Sequence, residues 1–150
     1  MEKVNVSFNE INFYAKTIAG RLEAEGITHV IGLARGGLIP ATIISYALKV
    51  PLLNYAISSY KETTKTNEFK INQVVHFNDL KCIDEIDPCI LVVDDICDTG
   101  DTMRYICDKI EFSGIKAKYA TVFTKEKHKE WLDQYGLVIP DNKWIVFPWE

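Results

Sequence analysis

The stretch Ile90–Thr102 constrains the fold of this chain more than any other part of the sequence. It opens with a continuous apolar run, Ile90–Val93, which predicts a strand buried on both faces, as in the middle of a parallel sheet. Two aspartates follow, then the polar turn Asp98–Thr102, and then a predicted helix over Met103–Phe112. A buried strand, a short polar loop and a helix start form the place where α/β proteins bind phosphorylated ligands.

The acids in this stretch narrow the choice of ligand. Gly100 allows the backbone to approach an anion closely, but Asp94, Asp95 and Asp98 would repel a bare phosphate. They fit a ligand that also carries ribose hydroxyls and a divalent metal, because carboxylates accept hydrogen bonds from hydroxyls and coordinate Mg²⁺. Neither a Walker loop nor a Gly-x-Gly-x-x-Gly fingerprint is present. The pattern therefore predicts a sugar-phosphate site with a metal; the alternative is an ordinary strand-turn-helix unit whose acids cap the helix.

The run Val92–Thr102 resembles the phosphoribosyl-pyrophosphate (PRPP) motif of type I phosphoribosyltransferases. This resemblance implies an α/β fold, a doubly wound and mostly parallel sheet with helices on both faces and a small hood built from the chain termini. It also implies that residues 1–150 form a single phosphoribosyltransferase domain. A length of 150 residues is consistent with one domain that buries a substantial core.

A second strand-loop-helix unit precedes the first. The predicted strand His29–Ala34 runs into Arg35, Gly36 and Gly37, and a predicted helix follows over Leu38–Leu48. An arginine can make a forked contact to phosphate oxygens, although such a sequence can also be a plain tight turn. It resembles the pyrophosphate loop of the same family, which implies a non-proline cis peptide between Ala34 and Arg35.

The polar segment between two strand-like runs has two readings. Residues Ser58–Phe69 contain few core residues, so they can form a solvated connection between strands. Ser59 and Tyr60 resemble the Ser-Tyr pair in the flexible loop of purine phosphoribosyltransferases, which implies a lid. A lid would exclude water while the ribose C1 is cationic.

The end of the chain resembles the bacterial xanthine-guanine phosphoribosyltransferases, and the likeness runs from the Arg35 loop to Glu150. By that resemblance Lys125 contacts the purine 6-oxo group, Trp144 stacks on the ring, and the backbone of Ile145 meets the group at C2. Trp149 and Glu150 are equally consistent with a core tail and with a role in the site.

The predicted function is transfer of the phosphoribosyl group from PRPP to a 6-oxopurine (guanine, xanthine or hypoxanthine), with release of pyrophosphate. Catalytic roles are expected for Asp98, as the base, and for Arg35. Mg²⁺ is the expected cofactor, held by Asp94 and Asp95. The residues expected to bind PRPP are Arg35, Gly36, Gly37, Asp94, Asp95, Asp98, Thr99, Gly100, Asp101 and Thr102. The alternatives are a phosphoribosyltransferase for adenine or a pyrimidine, a phosphoacceptor signalling domain and a regulatory RNA-binding relative.

Charge and cysteine usage bear on the partners. The formal net charge is −4 and no basic stripe is visible, which argues against nucleic acid as a partner. The N-terminus lacks the apolar core of a signal peptide, and no apolar run is long enough to cross a membrane. Four cysteines without Cys-x-x-Cys spacing indicate free thiols and a cytoplasmic location. We expect a homodimer or homotetramer.

Overall fold

The structure is a computed structural model that describes residues 1–59, 69–73 and 86–150. Its elements follow the chain in an order that alternates strands with helices. They are β1 (Glu2–Asn5), α1 (Phe8–Leu22), β2 (His29–Ala34), α2 (Leu38–Leu48), β3 (Leu52–Ser59), β4 (Phe69–Gln73), β5 (Cys89–Cys97), α3 (Asp101–Ser113), β6 (Lys116–Lys125), a 3₁₀ helix (Glu126–Trp131), β7 (Gln134–Ile139) and β8 (Lys143–Val146).

Six of the described strands form one sheet in the order β4-β3-β2-β5-β6-β7. All neighbours are parallel except β3 and β4, which are antiparallel. The central strand β5 lies between β2 and β6, and the side chains of Ile90–Val93 are fully buried. The predicted doubly wound, mostly parallel α/β sheet is thereby confirmed, and the apolar run is central because both faces of the sheet are covered.

Helices cover both faces. α1 and α2 pack together on one face, where Ile18 and Ile44 lie against Leu91 in one core cluster. α3 covers the other face through Ile106 and Ile110, which pack with Val92. The apolar residues of α1 recur at helical spacing, and a capping box formed by Ser7 and Glu10 starts the helix.

The two ends of the chain form the small hood that was predicted. β1 and β8 pair in parallel, with Lys3 opposite Trp144 and Val4 opposite Ile145. Ile145 and Phe147 are buried with residues of α1 and β6 in a third core cluster. This packing holds the hood over the carboxyl end of β6.

The central strand is longer than its sequence predicts. β5 continues through both aspartates to Cys97, because its ladder with β6 extends to the Cys97–Thr124 pair. Its ladder with β2 ends earlier, at Gly32 and Val93. α3 likewise begins at Asp101, before the predicted start at Met103.

None of the helices in the described residues is long and apolar enough to span a membrane. The cysteines at positions 89, 97 and 107 are free thiols. Cys82 lies outside the described residues, and so does Val74–Phe77, the second of the two strand-like runs that flank the polar segment.

Candidate active site

The strand order creates a crevice at the carboxyl end of the sheet. The chain runs from β2 outward to β3 and then returns to the opposite side of β2 as β5. Loops that leave β2 and β5 therefore diverge, which is the position where open parallel sheets bind ligands. The Arg35 loop and the Asp98–Thr102 loop flank this point. The two loops that the sequence singled out thus lie on neighbouring strands.

The Arg35 loop packs tightly against the central strand. The Ala34–Arg35 peptide is cis, as predicted. A Cβ added to Gly36 would lie 1.9 Å from Asp95 Oδ2, and one added to Gly37 would lie 2.6 Å from the Val93 carbonyl oxygen. Both positions therefore require glycine, because a side chain would displace the carboxylate or the backbone.

The Gly37 amide has a hydrogen-bond partner within this loop. The Gly37 N–H donates to the Leu33 carbonyl at 2.8 Å, so it is already used within the loop. Gly37 thus supplies close packing, and the binding of pyrophosphate by Gly36 and Gly37 stays a prediction. The Arg35 side chain is exposed to solvent.

Asp94 and Asp95 form a close acidic pair on β5. The Asp95 N–H donates to Asp94 Oδ1 at 2.9 Å, and the Ile96 N–H donates to Asp95 Oδ1 at 2.7 Å. Burial raises the pKa of Asp94 well above its usual value, and the charge of Asp95 raises it further. Burial also raises the pKa of Asp95, with a smaller contribution from Glu150. The pair is therefore costly to ionise unless a cation or hydroxyl donors accompany it.

Replacing Asp94 with Asn is expected to raise the melting temperature of the ligand-free protein at neutral pH. Folding raises the pKa of this carboxyl. Its contribution to the stability of the native state is therefore fully present below the unfolded pKa of 3.8, and it is lost as the pH rises through the folded pKa. Asn removes the charge but keeps an oxygen for the Asp95 N–H. We expect a gain of a few degrees at pH 7.5 in calorimetry, and a smaller gain at pH 5.

The matched control for this measurement is Asp108→Asn, which removes one negative charge from the exposed side of α3. Its melting temperature should stay close to that of the wild type at both pH values. A melting temperature for Asp94→Asn at or below the wild-type value at pH 7.5 would contradict the conclusion that the buried charge of Asp94 destabilises the ligand-free protein.

The Asp98–Thr102 loop connects β5 to α3. Gly100 has a φ of +85°, a conformation that favours glycine, and it immediately precedes the helix. Thr99 Oγ1 accepts from the Asp101 N–H at 3.3 Å. The first turn of α3 leaves backbone N–H groups without intrahelical partners. These donors surround a site that suits a phosphate group.

A buried histidine lies beneath this loop and was not predicted. His128, on the 3₁₀ helix, is 4% exposed, and its Nε2 lies 2.9 Å from the Asp98 carbonyl oxygen. In the sequence it sits among charged residues that read as a solvated surface. Trp131 and Leu132, which follow it, are the residues whose apolar side chains indicate that this turn packs against the core.

A pocket opens between the carboxyl end of the sheet and the hood. Its lining residues come from the central strand, the Asp98–Thr102 loop (the phosphate loop), the end of β6 and the hood. They are Asp95, Ile96, Asp98, Lys125, Lys143, Trp144, Ile145, Phe147 and Glu150. The residues predicted to bind the base are therefore brought together with Asp98. Trp144 is 48% exposed and Ile145 is 5% exposed.

Lys125 is the last residue of β6 and is 4% exposed. Its ammonium donates to three hood carbonyls: Pro140 at 2.9 Å, Lys143 at 2.7 Å and Asp141 at 3.4 Å. An ammonium has three hydrogens, so all of its donors are occupied. A base oxygen that reaches Lys125 must share or replace one of these contacts, and the long contact to Asp141 is the weakest.

The structure distinguishes Trp149 from Glu150, two residues that the sequence allowed either in the core or in the site. Trp149 stacks on Phe147 with ring centroids 4.8 Å apart and lies near Phe8, so its contacts are those of hood packing. Glu150 lines the pocket, and its carboxylate accepts from the Phe147 N–H at 3.1 Å. Glu150 thus adds negative charge beside Asp95.

The predicted lid cannot be compared with the structure. Tyr60 lies outside the described residues, and of Ser59 only the backbone, paired with Phe69 at the end of β3, is described. The role of Ser59 and Tyr60 stays a prediction.

Comparison with known proteins agrees with this geometry. Residues 4–150 match the family described as phosphoribosyl transferase domain. The chain is 33% identical to the xanthine-guanine phosphoribosyltransferase of Idiomarina loihiensis over 97% of this chain and 85% of that protein. It is 30% identical to the enzyme of that name from Nitratidesulfovibrio vulgaris, over 97% and 83% of the two chains.

The fold is shared as well. The crystal structure of a purine phosphoribosyltransferase from Pyrococcus horikoshii superimposes with a TM-score of 0.82 at 31% identity, covering 100% of this chain and 95% of that one. The parallel sheet, the two loops at its switch point and the match over nearly the full length lead to one conclusion: this chain belongs to the phosphoribosyltransferase family and has the type I fold.

Proposed function

We propose that the protein transfers the phosphoribosyl group of PRPP to N9 of a 6-oxopurine, giving a nucleoside 5′-monophosphate and pyrophosphate. The observation that carries this proposal is a pocket lined both by Asp98 of the PRPP motif and by Lys125 and Trp144 of the predicted base site. A phosphate loop and a base site must share one cavity if C1 of the ribose is to meet the purine nitrogen. The relatives named xanthine-guanine phosphoribosyltransferase support this choice of base class.

The two loops hold the two ends of PRPP. The Asp98–Thr102 loop binds the 5′-phosphate through backbone N–H groups and the hydroxyls of Thr99 and Thr102. Arg35 and the amide of Gly36 bind the pyrophosphate and stabilise the charge that grows on it as the C1–O bond breaks. Because each loop leaves a different strand of the crevice, the two loops can hold opposite ends of one ligand, which supports this division.

A magnesium ion fits the acidic pair. Among the described residues no group of three or more histidine, cysteine or acidic side chains is arranged to hold a metal without help. Mg²⁺ is commonly bound by one or two carboxylates together with substrate phosphates and waters. Asp94 and Asp95, whose ionisation burial disfavours, would hold the ribose hydroxyls and such a metal. The metal, when bound, neutralises charge on the pyrophosphate.

The base site is formed by the hood. Lys125 donates to the 6-oxygen, the exposed indole of Trp144 stacks on the ring, and the carbonyl of Ile145 faces the group at C2. The Asp98 carboxylate, which lines the same pocket, accepts the proton that the purine imidazole loses.

The decisive experiment is an assay of pyrophosphate release with PRPP, Mg²⁺ and each of guanine, xanthine, hypoxanthine and adenine. We expect turnover with at least guanine. Turnover should disappear when the metal is removed, because the carboxylates then repel the anionic substrate. Full activity in excess chelator, without any divalent ion, would contradict the role of Asp94 and Asp95. Absence of turnover with all four bases would contradict the proposed reaction.

Three further properties stay predictions. The acceptor phosphoribosylated in the cell is one or more of the 6-oxopurines. A homodimer or homotetramer is expected, without nucleic-acid or membrane partners. The free thiols and the phosphorylated substrate are typical of a cytoplasmic enzyme.

A further inference from the structure

We infer that His128 is a positioning residue that fixes the peptide between Asp98 and Thr99, so that the Thr99 N–H faces the 5′-phosphate of the substrate. The inference rests on the proposed function, because it assigns the phosphate loop to PRPP. His128 lies thirty residues from this loop in the chain and touches it only through the fold.

The hydrogen bonds of the imidazole ring define its tautomer. The Asp98 carbonyl oxygen can only accept, so Nε2, 2.9 Å away, carries the hydrogen and donates. The Trp131 Nε1–H can only donate, and it lies 3.5 Å from Nδ1, the nitrogen with the lone pair. Both contacts require the same neutral tautomer. Trp131 also packs edge-on against the ring, with centroids 6.3 Å apart.

The ring also supports the backbone next to Asp98. A Cβ added to Gly100 would lie 2.9 Å from His128 Cε1 and 3.1 Å from Nδ1. The imidazole therefore fills the space directly beneath Gly100. Two alternate residues of the loop thus contact one buried ring.

The consequence for the phosphate follows from peptide geometry. The C=O and the N–H of a trans peptide point in opposite directions. His128 holds the Asp98 carbonyl toward the interior, so the N–H of Thr99 is directed to the opposite side, where the loop is exposed. Rotation of this peptide would replace a donor with a carbonyl oxygen that repels phosphate. His128 therefore matters for the affinity of the sugar-phosphate end of the substrate and not for the pyrophosphate end.

The test compares His128→Leu with His128→Gln. Both replacements have a similar size, but only the glutamine amide can donate to the Asp98 carbonyl. The readout is the dissociation constant for ribose 5-phosphate and for pyrophosphate with Mg²⁺, measured by calorimetry on the whole chain. For His128→Leu we expect about tenfold weaker binding of ribose 5-phosphate, the scale of one lost hydrogen bond, and nearly unchanged binding of pyrophosphate. His128→Gln should recover most of the loss, and the KM for PRPP should follow the same order.

The matched control is His29→Gln. His29 is the other buried histidine of the described residues, and it lies at the start of β2 with its Nδ1 near Thr28 Oγ1. This edge of the sheet is opposite to the phosphate loop, so the control should leave both dissociation constants unchanged. His128→Met also lacks a donor but is unbranched, and it replaces the leucine variant if that variant does not fold. A selective loss of ribose 5-phosphate affinity would then support the inference.

The outcomes separate this inference from the function on which it rests. The positioning role alone would be overturned if the wild-type protein binds ribose 5-phosphate and the leucine or methionine variant of His128 binds it equally well. An equal loss of affinity for both anions would also overturn it, since that result indicates general disruption. Wild-type protein that binds neither anion and turns over no purine would overturn the proposed function and the inference together.

Discussion

Asp98→Asn is expected to lower kcat by about 10²-fold or more, the usual scale for loss of a general base, while the KM for PRPP stays close to the wild-type value. Asp98 lines the base pocket, and its backbone carbonyl is held by His128. Asparagine has nearly the same shape and leaves the backbone contact in place. The change therefore removes a proton acceptor without removing the phosphate loop.

The pH dependence of this defect distinguishes a proton acceptor from a structural carboxylate. An ionised purine needs no base, so the ratio of wild-type to variant kcat should shrink as the pH rises toward the range in which the purine ionises in solution. The matched variant is Asp101→Asn, which removes a charge from the first residue of α3. It should change the KM for PRPP much more than kcat. A wild-type kcat for Asp98→Asn would show that another group, or water, accepts the proton.

The fold could be predicted from the sequence where local patterns and long-range packing agree. The helix predicted over Leu38–Leu48 coincides with α2, and the pattern Ser7-x-x-Glu10 in the sequence is that of the capping box that starts α1. The apolar run Ile90–Val93 indicated a central strand, since a strand with two apolar faces must be covered on both.

Other features depend on partners that are distant in the chain. β5 continues beyond Val93 because β6 still pairs with it, although β2 has already turned away. The sequence of β5 contains no sign of this asymmetry. The contacts of Lys125 are a second example. Its three carbonyl partners come from the connection to β8 and from the first residue of that strand. The sequence predicted the hood only as an association of the chain termini, without these contacts.

The residues of the candidate site also fall into a group that the sequence predicts and a group that depends on the fold. The PRPP motif and the Arg35 loop are contiguous in sequence, so their residues could be identified before their geometry was known. His128 and Glu150 act through contacts that only the fold creates, and the sequence around His128 resembles an exposed charged segment. In the folded chain His128 and Glu150 lie beside the residues that the motifs indicate.

We expect adenine to be discriminated from guanine by roughly 10⁴-fold in kcat/KM, because its 6-amino group is a donor that would face the donors of Lys125. Lys125 is 4% exposed, and its ammonium is satisfied by three carbonyls. A 6-oxo group can take the place of the 3.4 Å contact to Asp141, which keeps the ammonium satisfied. An amino group at that position would leave two donors opposed in a dry site. Guanine should rank first, since the Ile145 carbonyl can accept from its 2-amino group, with xanthine and hypoxanthine unordered.

The Lys125→Met variant tests this argument through a ratio of two substrates. Methionine keeps most of the apolar stem but lacks the ammonium. Loss of the hood contacts lowers turnover with every base. Loss of the 6-oxo contact lowers kcat/KM for guanine specifically, by about 10²-fold. The guanine-to-adenine ratio should therefore shrink. The control is Lys143→Met, because the ammonium of Lys143 pairs with Glu2 and not with the 6-position; it should affect the two bases alike. If the wild-type protein uses adenine as well as guanine, Lys125 does not read the 6-position, and the assignment of a 6-oxopurine substrate is wrong.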